Sequence, residues 1–151
     1  MPEVFPIVPA SAKPIGFLAV VCVILLVILV LLAYTAYSAR NSRIEVGDGQ
    51  LRIVGDLWAR SIPIGSLALE RAAVLDLGNS PDHIPKRRTF GTGLPGYASG
   101  WFRLGNGEKA LAYLTQRHSV LYVPTALGYS LLLSVERPRE LIESLRGQAG
   151  Q

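Results

Sequence analysis

Residues 14–39 pass without an Asp, Glu, Lys, Arg or His, and the middle of the run is almost solid Val, Leu and Ile. Its core, 15–36, holds 22 residues. As a helix that is about 33 Å, against a bilayer hydrocarbon core of roughly 30 Å. The pattern predicts one membrane-spanning helix over 15–37. A secretory signal would need a positive start, a short apolar stretch and a small-residue cleavage site. Here the start is Met1-Pro2-Glu3 and the run is too long, although Ala36 and Ala39 stand near its exit. A helix buried in a soluble core rarely lacks a polar stripe over such a length. Tyr34 and Tyr37 suit the interfacial belt, where a ring sits at the acyl boundary and its hydroxyl meets water.

Beyond the span, short apolar and β-branched segments alternate with turn signals, the pattern of a small β unit. Segments 43–46 and 50–54 flank Asp48-Gly49, a strong hairpin signal because such a turn needs positive φ. The stretch 58–64 contains Pro63, which argues for an edge or a bulge. Strands are expected at 72–77, 99–104 and 108–115, the last two joined at Gly105-Asn106-Gly107, and again at 119–123 and 129–135. The period then changes. Pro138 can open a helix, where its missing N–H costs nothing, and Leu141, Ile142 and Leu145 share one face. Gly147 is the expected stop. About seven strands and one helix of about ten residues must bury the helix's apolar face on the sheet.

Composition narrows the possibilities. The part after the span carries the whole net charge of +4, with fourteen Lys and Arg against ten Asp and Glu. Those charges are scattered apart from Lys86-Arg87-Arg88. A nucleic-acid binder shows a basic stripe or a fold motif, so no nucleic-acid partner is expected. The single cysteine, Cys22, lies in the apolar run, which leaves no disulfide or thiolate metal site for the domain. No cofactor and no metal is expected. Pro2, Pro6, Pro9 and Pro14 should keep the N-terminal tail extended and irregular.

The segment Arg88-Thr89-Phe90-Gly91-Thr92-Gly93-Leu94-Pro95-Gly96-Tyr97, with Gly100-Trp101-Phe102-Arg103-Leu104 and Asn106-Gly107, resembles the bacterial pleckstrin-homology (PH) domain family. So does Tyr129-Ser130-Leu131-Leu132-Leu133-Ser134 followed by Pro138 and the helix. The resemblance implies a mainly β, PH-like seven-stranded barrel with a C-terminal capping helix, in a membrane-linked bacterial setting. One departure is Arg137, where an acidic cap would be expected before Pro138. The domain plan is a tail at 1–14, the span at 15–37, a linker at 38–42, the PH-like domain at 43–147 and a tail at 148–151.

Other motifs weigh less. Gly91-Thr92-Gly93-Leu94-Pro95-Gly96 matches G-x-G-x-x-G, but a dinucleotide site needs a helix opening within the motif and an acid about 20 residues on. Pro95 and Gly96 interrupt any helix, and Gln116 and Arg117 stand where the acid should be. The motif reads as a tight loop. A kinase glycine loop lacks its catalytic-loop and magnesium-binding partners. Gly96-Tyr97-Ala98-Ser99-Gly100 misses the hydrolase elbow at Ala98. His83 and His118 show no metal or triad spacing. An enzyme is not expected.

Lys86, Arg87 and Arg88, with Gly91, Gly93 and Tyr97, form the candidate partner- or anion-binding site, against the alternative of a solvated loop with edge protection. Phosphoinositide-binding relatives in the wider fold carry Lys and Arg around the first hairpin, which here is Gly47-Asp48-Gly49-Gln50. Arg40 and Arg43 at the exit, with Tyr34 and Tyr37, mark the membrane interface, and the positive-inside rule puts the C-terminal domain in the cytoplasm. If strands alternate direction in an upright barrel, the loop 78–97 points away from the bilayer. The expected protein is therefore a single-pass inner-membrane scaffold docking an unidentified protein partner, with an anionic-lipid sensor as the alternative. Gly16 is the span's only glycine, so no Gly-x-x-x-Gly face supports a homo-oligomer.

Overall fold

The computed structural model describes residues 1–150 and falls into two compact units, Met1–Arg40 and the chain from Asn41 on. In the first unit, residues 1–12 form neither helix nor strand, as the prolines predict. Helix α1 then runs Lys13–Asn41. It is long and apolar enough to cross a membrane, and none of its most apolar window is buried. A soluble core helix would bury that surface. The residues expected as a linker, 38–42, are the last turn of α1 together with Ser42. Continuing the helix satisfies backbone groups that a loop at this point would leave to water or lipid.

The second unit is a two-sheet β fold closed by a helix, as a PH-like domain requires. β1 (Arg43–Gly47), β2 (Gln50–Val54) and β3 (Arg60–Pro63) form an antiparallel sheet in that order. Asp48 and Gly49 have φ of 52° and 70°, so the first turn takes the left-handed geometry that Asp-Gly tolerates. Pro63 ends the edge strand β3, where a missing N–H leaves no ladder bond unmade. The second sheet contains β4 (Ala73–Leu75), β5 (Pro85–Leu94), β6 (Tyr97–Leu104), β7 (Lys109–Leu114), β8 (Val120–Pro124) and β9 (Ser130–Ser134). Their order is β4-β8-β9-β7-β6-β5, antiparallel except for the parallel pair β7–β9.

The described strands number nine, more than the seven of the expected barrel: the eight segments named from the sequence and, in addition, β5, which occupies most of the segment read as the loop 78–97. Residues 77–79 and 81–83 form two short 3-10 turns before it. Lys-Arg-Arg and two glycines erase alternation in β5, so pairing with β6, not propensity, makes the strand. β9 lies between β7 and β8 and runs parallel to β7, so the fold is not an up-and-down meander. Counting loops alternately to opposite ends therefore does not place the 78–97 segment away from the bilayer.

Both faces of the large sheet are covered. On one, Leu111, Leu121, Leu131 and Leu133 are fully buried against Leu51 and Ile62 of the small sheet. On the other, Ala110, Ala112, Val120 and Leu132 pack with Phe102, Leu104 and Leu77. Burial on both sides is why 131–133 reads as an unbroken apolar run. Helix α2 (Pro138–Ala149) lays Ile142 and Leu145 on the first face. It passes the expected stop at Gly147. Arg137 makes no side-chain cap but pairs with Glu140 at 3.1 Å, and Arg146 donates to the Leu69 carbonyl.

Candidate functional site

The β5–β6 hairpin carries all six residues of the expected site. Its construction depends on a glycine pair. Gly91 and Gly100 are register partners with φ of 152° and 118°. A Cβ on Gly100 would stand 2.6 Å from the Phe90 carbonyl and from the Gly91 Cα, and one on Gly91 would meet the Ser99 carbonyl. The motif Gly91 to Gly96 is thus a strand followed by a turn, with no helix opening in it. A pyrophosphate has no helix N-terminus to meet here. Register slips between Pro85 and Arg87 and between Arg88 and Phe90 bend the strand further.

The structure separates these six residues. Lys86, Arg87 and Arg88 are exposed on β5, the edge strand of the sheet. Gly93 is also exposed, with the Arg88 guanidinium beside it. Tyr97 is not a surface residue. It is buried, and its hydroxyl donates to Asp56 Oδ2 at 2.8 Å, tying β6 to the β2–β3 loop. Its role is to hold that loop, and it offers a partner nothing. Gly91 is committed to backbone packing.

A different constellation comes together instead. Arg87 stands opposite Arg103, and Arg103 opposite Lys109, so three cations lie in register across β5, β6 and β7. Residues opposite each other share a face, and like charges there are destabilising. Among the described residues none of the three forms an ion pair. Lys109 Nζ lies 4.5 Å from the centre of the Trp101 ring. The Arg60 guanidinium lies 5.0 Å from Trp101 and 5.9 Å from Tyr129, whose ring meets Trp101 edge-on at 4.9 Å. Cations so placed are held against ring faces. Counting outward from Asn106 would have put Arg103 opposite Lys109. Arg60 and Arg87 had no such signal, because one depends on how the sheets pack and the other on an unrecognised strand.

Towards the buried end of the same face the side chains become neutral. Ser99 pairs with Tyr113, and Trp58 packs edge-on against Phe90 at 4.8 Å. The Trp58 N–H, the Ser99 hydroxyl and the Tyr113 hydroxyl are buried without a hydrogen-bond partner. Burial, reinforced by the Asp56 carboxylate, pushes the Tyr113 hydroxyl well above the ordinary tyrosine range. It stays protonated.

Beside the cation row lies a shallow cleft of about 160 Å³ whose lining includes Arg71, Glu108, Lys109, Tyr129 and Ser130. Glu108 Oε2 accepts from the Tyr122 hydroxyl at 2.9 Å and from Ser130 at 3.4 Å. Partial burial raises Tyr122 above its ordinary value, and Glu108 adds to that. His83 packs edge-on against Tyr122, and His118 Nδ1 meets Asp76 at 3.1 Å. The two histidines thus serve separate local contacts.

The family model described as Bacterial PH domain matches residues 42–149. No curated protein and no solved structure matches the chain.

Proposed function

The chain belongs to the bacterial PH domain family, and on that premise we propose that it is a single-pass membrane protein holding a PH-like binding module at the membrane surface. PH domains are generally non-catalytic, so the module's role is to bind. The observation that carries the reading is the junction. An apolar helix of 29 residues ends at Asn41, and the first strand begins at Arg43. Ser42 alone lies between them, so the domain starts within a few ångströms of chain from the end of the span. Arg40 and Arg43 at this junction support a cytoplasmic domain. Membranes from cells producing the full chain test this. The protein is expected to resist alkaline extraction and to lose its C-terminal domain to protease only in inverted vesicles. Release at alkaline pH, as expected of a cleaved signal, would overturn the anchor.

A protein partner is the second reading, and one observation favours it. β5 is a ten-residue edge strand with Phe90 and Leu94 exposed. Free backbone groups along such an edge can pair with an incoming strand. Its cations select an acidic one. A photocrosslinker at Leu94 in native membranes is expected to yield a discrete protein adduct under this reading, and lipid adducts alone would end it.

A further inference from the structure

The three aligned cations raise a physical question. Arg87, Arg103 and Lys109 stand in register across adjacent strands, without ion-paired carboxylates among the described residues. Mutual repulsion disfavours that arrangement; Arg103 donates to the Gly107 carbonyl at 3.0 Å and Lys109 rests on the Trp101 ring, contacts that hold the cations without neutralising them as an anion would. Arg60 joins them on the Trp101 and Tyr129 rings.

The position of Arg60 says where this face lies. Ile53 pairs with both Arg60 and Ile44, so Arg60 sits at the end of the small sheet from which β1 starts. The β2–β3 loop leaves from that end too. Gly55 in it packs so closely on the chain entering β1 that an added Cβ would stand 2.7 Å from the Asn41 carbonyl. The same loop carries Leu57, 68% exposed, and Trp58, which touches Phe90, 65% exposed. The opposite end of the small sheet bears Asp48, which faces Arg52 at 3.7 Å.

Cations, an amphipathic Trp and Tyr, and two exposed apolar side chains make up an interfacial anchor. We infer that this face rests on the anionic headgroup layer of the membrane that α1 crosses. Arg60, Arg87, Arg103 and Lys109 take lipid phosphates, and Leu57 and Phe90 reach the acyl boundary. The inference rests on reading α1 as a span. The occupant is a bilayer surface, because a soluble phosphate would satisfy the cations and leave Leu57 and Phe90 in water. A second copy of the chain would set cations against cations.

The test uses the full chain with Cys22→Ser and Leu57→Cys, labelled with a polarity-sensitive fluorophore. It is reconstituted into vesicles of phosphatidylcholine, or of phosphatidylcholine with about one third phosphatidylglycerol. In the anionic vesicles the label is expected to shift to the blue and to be quenched by lipid-borne quenchers. Each cation near the surface is worth about a fivefold change in partitioning. Arg87→Gln, Arg103→Gln and Lys109→Gln together should therefore cut the ratio of shielded to exposed label by about a hundredfold, and high salt should weaken shielding. Inorganic phosphate at equal ionic strength should add nothing. The lipid comparison needs no substitution in the cation row, so misfolding of the triple variant cannot decide the result. A label equally shielded, or equally wet, in both lipids overturns the inference. If the chain co-floats with vesicles at alkaline pH in that case, the anchor stands and this face alone fails. If it does not co-float, both fall.

Discussion

The β1–β2 and β5–β6 hairpins are built on opposite terms. The first has a two-residue turn and unbroken register, and its charges meet opposite charges, Arg43 with Glu45 at 2.7 Å and Arg52 with Asp48. The second needs two glycines back to back, slips register twice, and lines like charges up. The first agrees with every local rule, whereas the second breaks several at once. Local conflicts of that kind are expected where a surface serves something besides folding. The second hairpin carries most of the face proposed above to meet the membrane.

The largest effect should come from the glycines, because the hairpins use them differently. Gly49 has positive φ but open space around it, whereas Gly100 has positive φ and the β5 backbone at Phe90 and Gly91 pressed against it. Gly49→Ala meets conformational strain alone and is expected to cost about 1 kcal/mol. Gly100→Ala adds a backbone clash that no side-chain movement relieves, and should cost about 3 kcal/mol or more. Denaturant unfolding of the full chain in detergent, followed by tryptophan fluorescence, measures both. Equal losses would mean that the second hairpin relaxes around its glycines, contrary to the packing described.

That contrast also explains what was legible in the sequence. The first hairpin announces itself, since Asp48-Gly49 sits between alternating strands and its register follows from the turn. The span and α2 are equally plain, because each satisfies one period over enough residues. β5 was not legible. Its charges and glycines suit it to one neighbour, β6, and no local pattern records that neighbour. The candidate site followed the same division. Lys86, Arg87 and Arg88 stand out as a run, but a run on a strand points to alternate faces. The cations that come together, Arg60, Arg87, Arg103 and Lys109, are scattered through the chain and meet only through sheet order and, for Arg60, the packing of one sheet on the other.

Two tyrosines on the second hairpin's neighbourhood sharpen the comparison at smaller scale. Tyr97 donates to a carboxylate, while Tyr113 is buried with its hydroxyl unpaired. Hydrogen bonds to charged groups contribute more than neutral ones, and an unpaired buried group carries its full desolvation penalty. Tyr97→Phe should therefore lose about 2 kcal/mol. Tyr113→Phe should gain about 1 kcal/mol. A loss on Tyr113→Phe would show that its hydroxyl is satisfied, and would remove the polar frustration assigned to this face.

Charge substitutions should split the hairpins by sign. Arg103→Gln takes out the middle of the like-charged row, and in low salt should raise stability by about 0.5 kcal/mol. Salt should erase the gain. Arg52→Gln removes an exposed pair in the first hairpin and should lower stability by about 0.5 kcal/mol or less. The pair of measurements matters more than either value. If both variants lose stability, the row is not strained and its claim to be a binding face weakens.

The smallest effect concerns a carboxylate outside both hairpins, in the 3-10 turn after β4. The Asp76 carboxyl is held below the ordinary aspartate range, chiefly by the Gly78 backbone N–H donating to it, and secondarily by His118. A folded value below the unfolded one means that the contribution is complete above the ordinary aspartate value of about 3.9. It fades as pH falls from there through the lowered value, because the unfolded chain then binds the proton more readily. Asp76→Asn keeps an oxygen that can accept from Gly78 but removes the titration. Near neutral pH the variant should be slightly less stable than the parent, because it lacks that contribution. Below about pH 4 the parent should lose that advantage and converge on the variant, read as a shallower acid slope in the variant's unfolding midpoints. The exposed setting keeps the difference small. Coincident acid slopes would assign the acid sensitivity of this fold to other carboxylates.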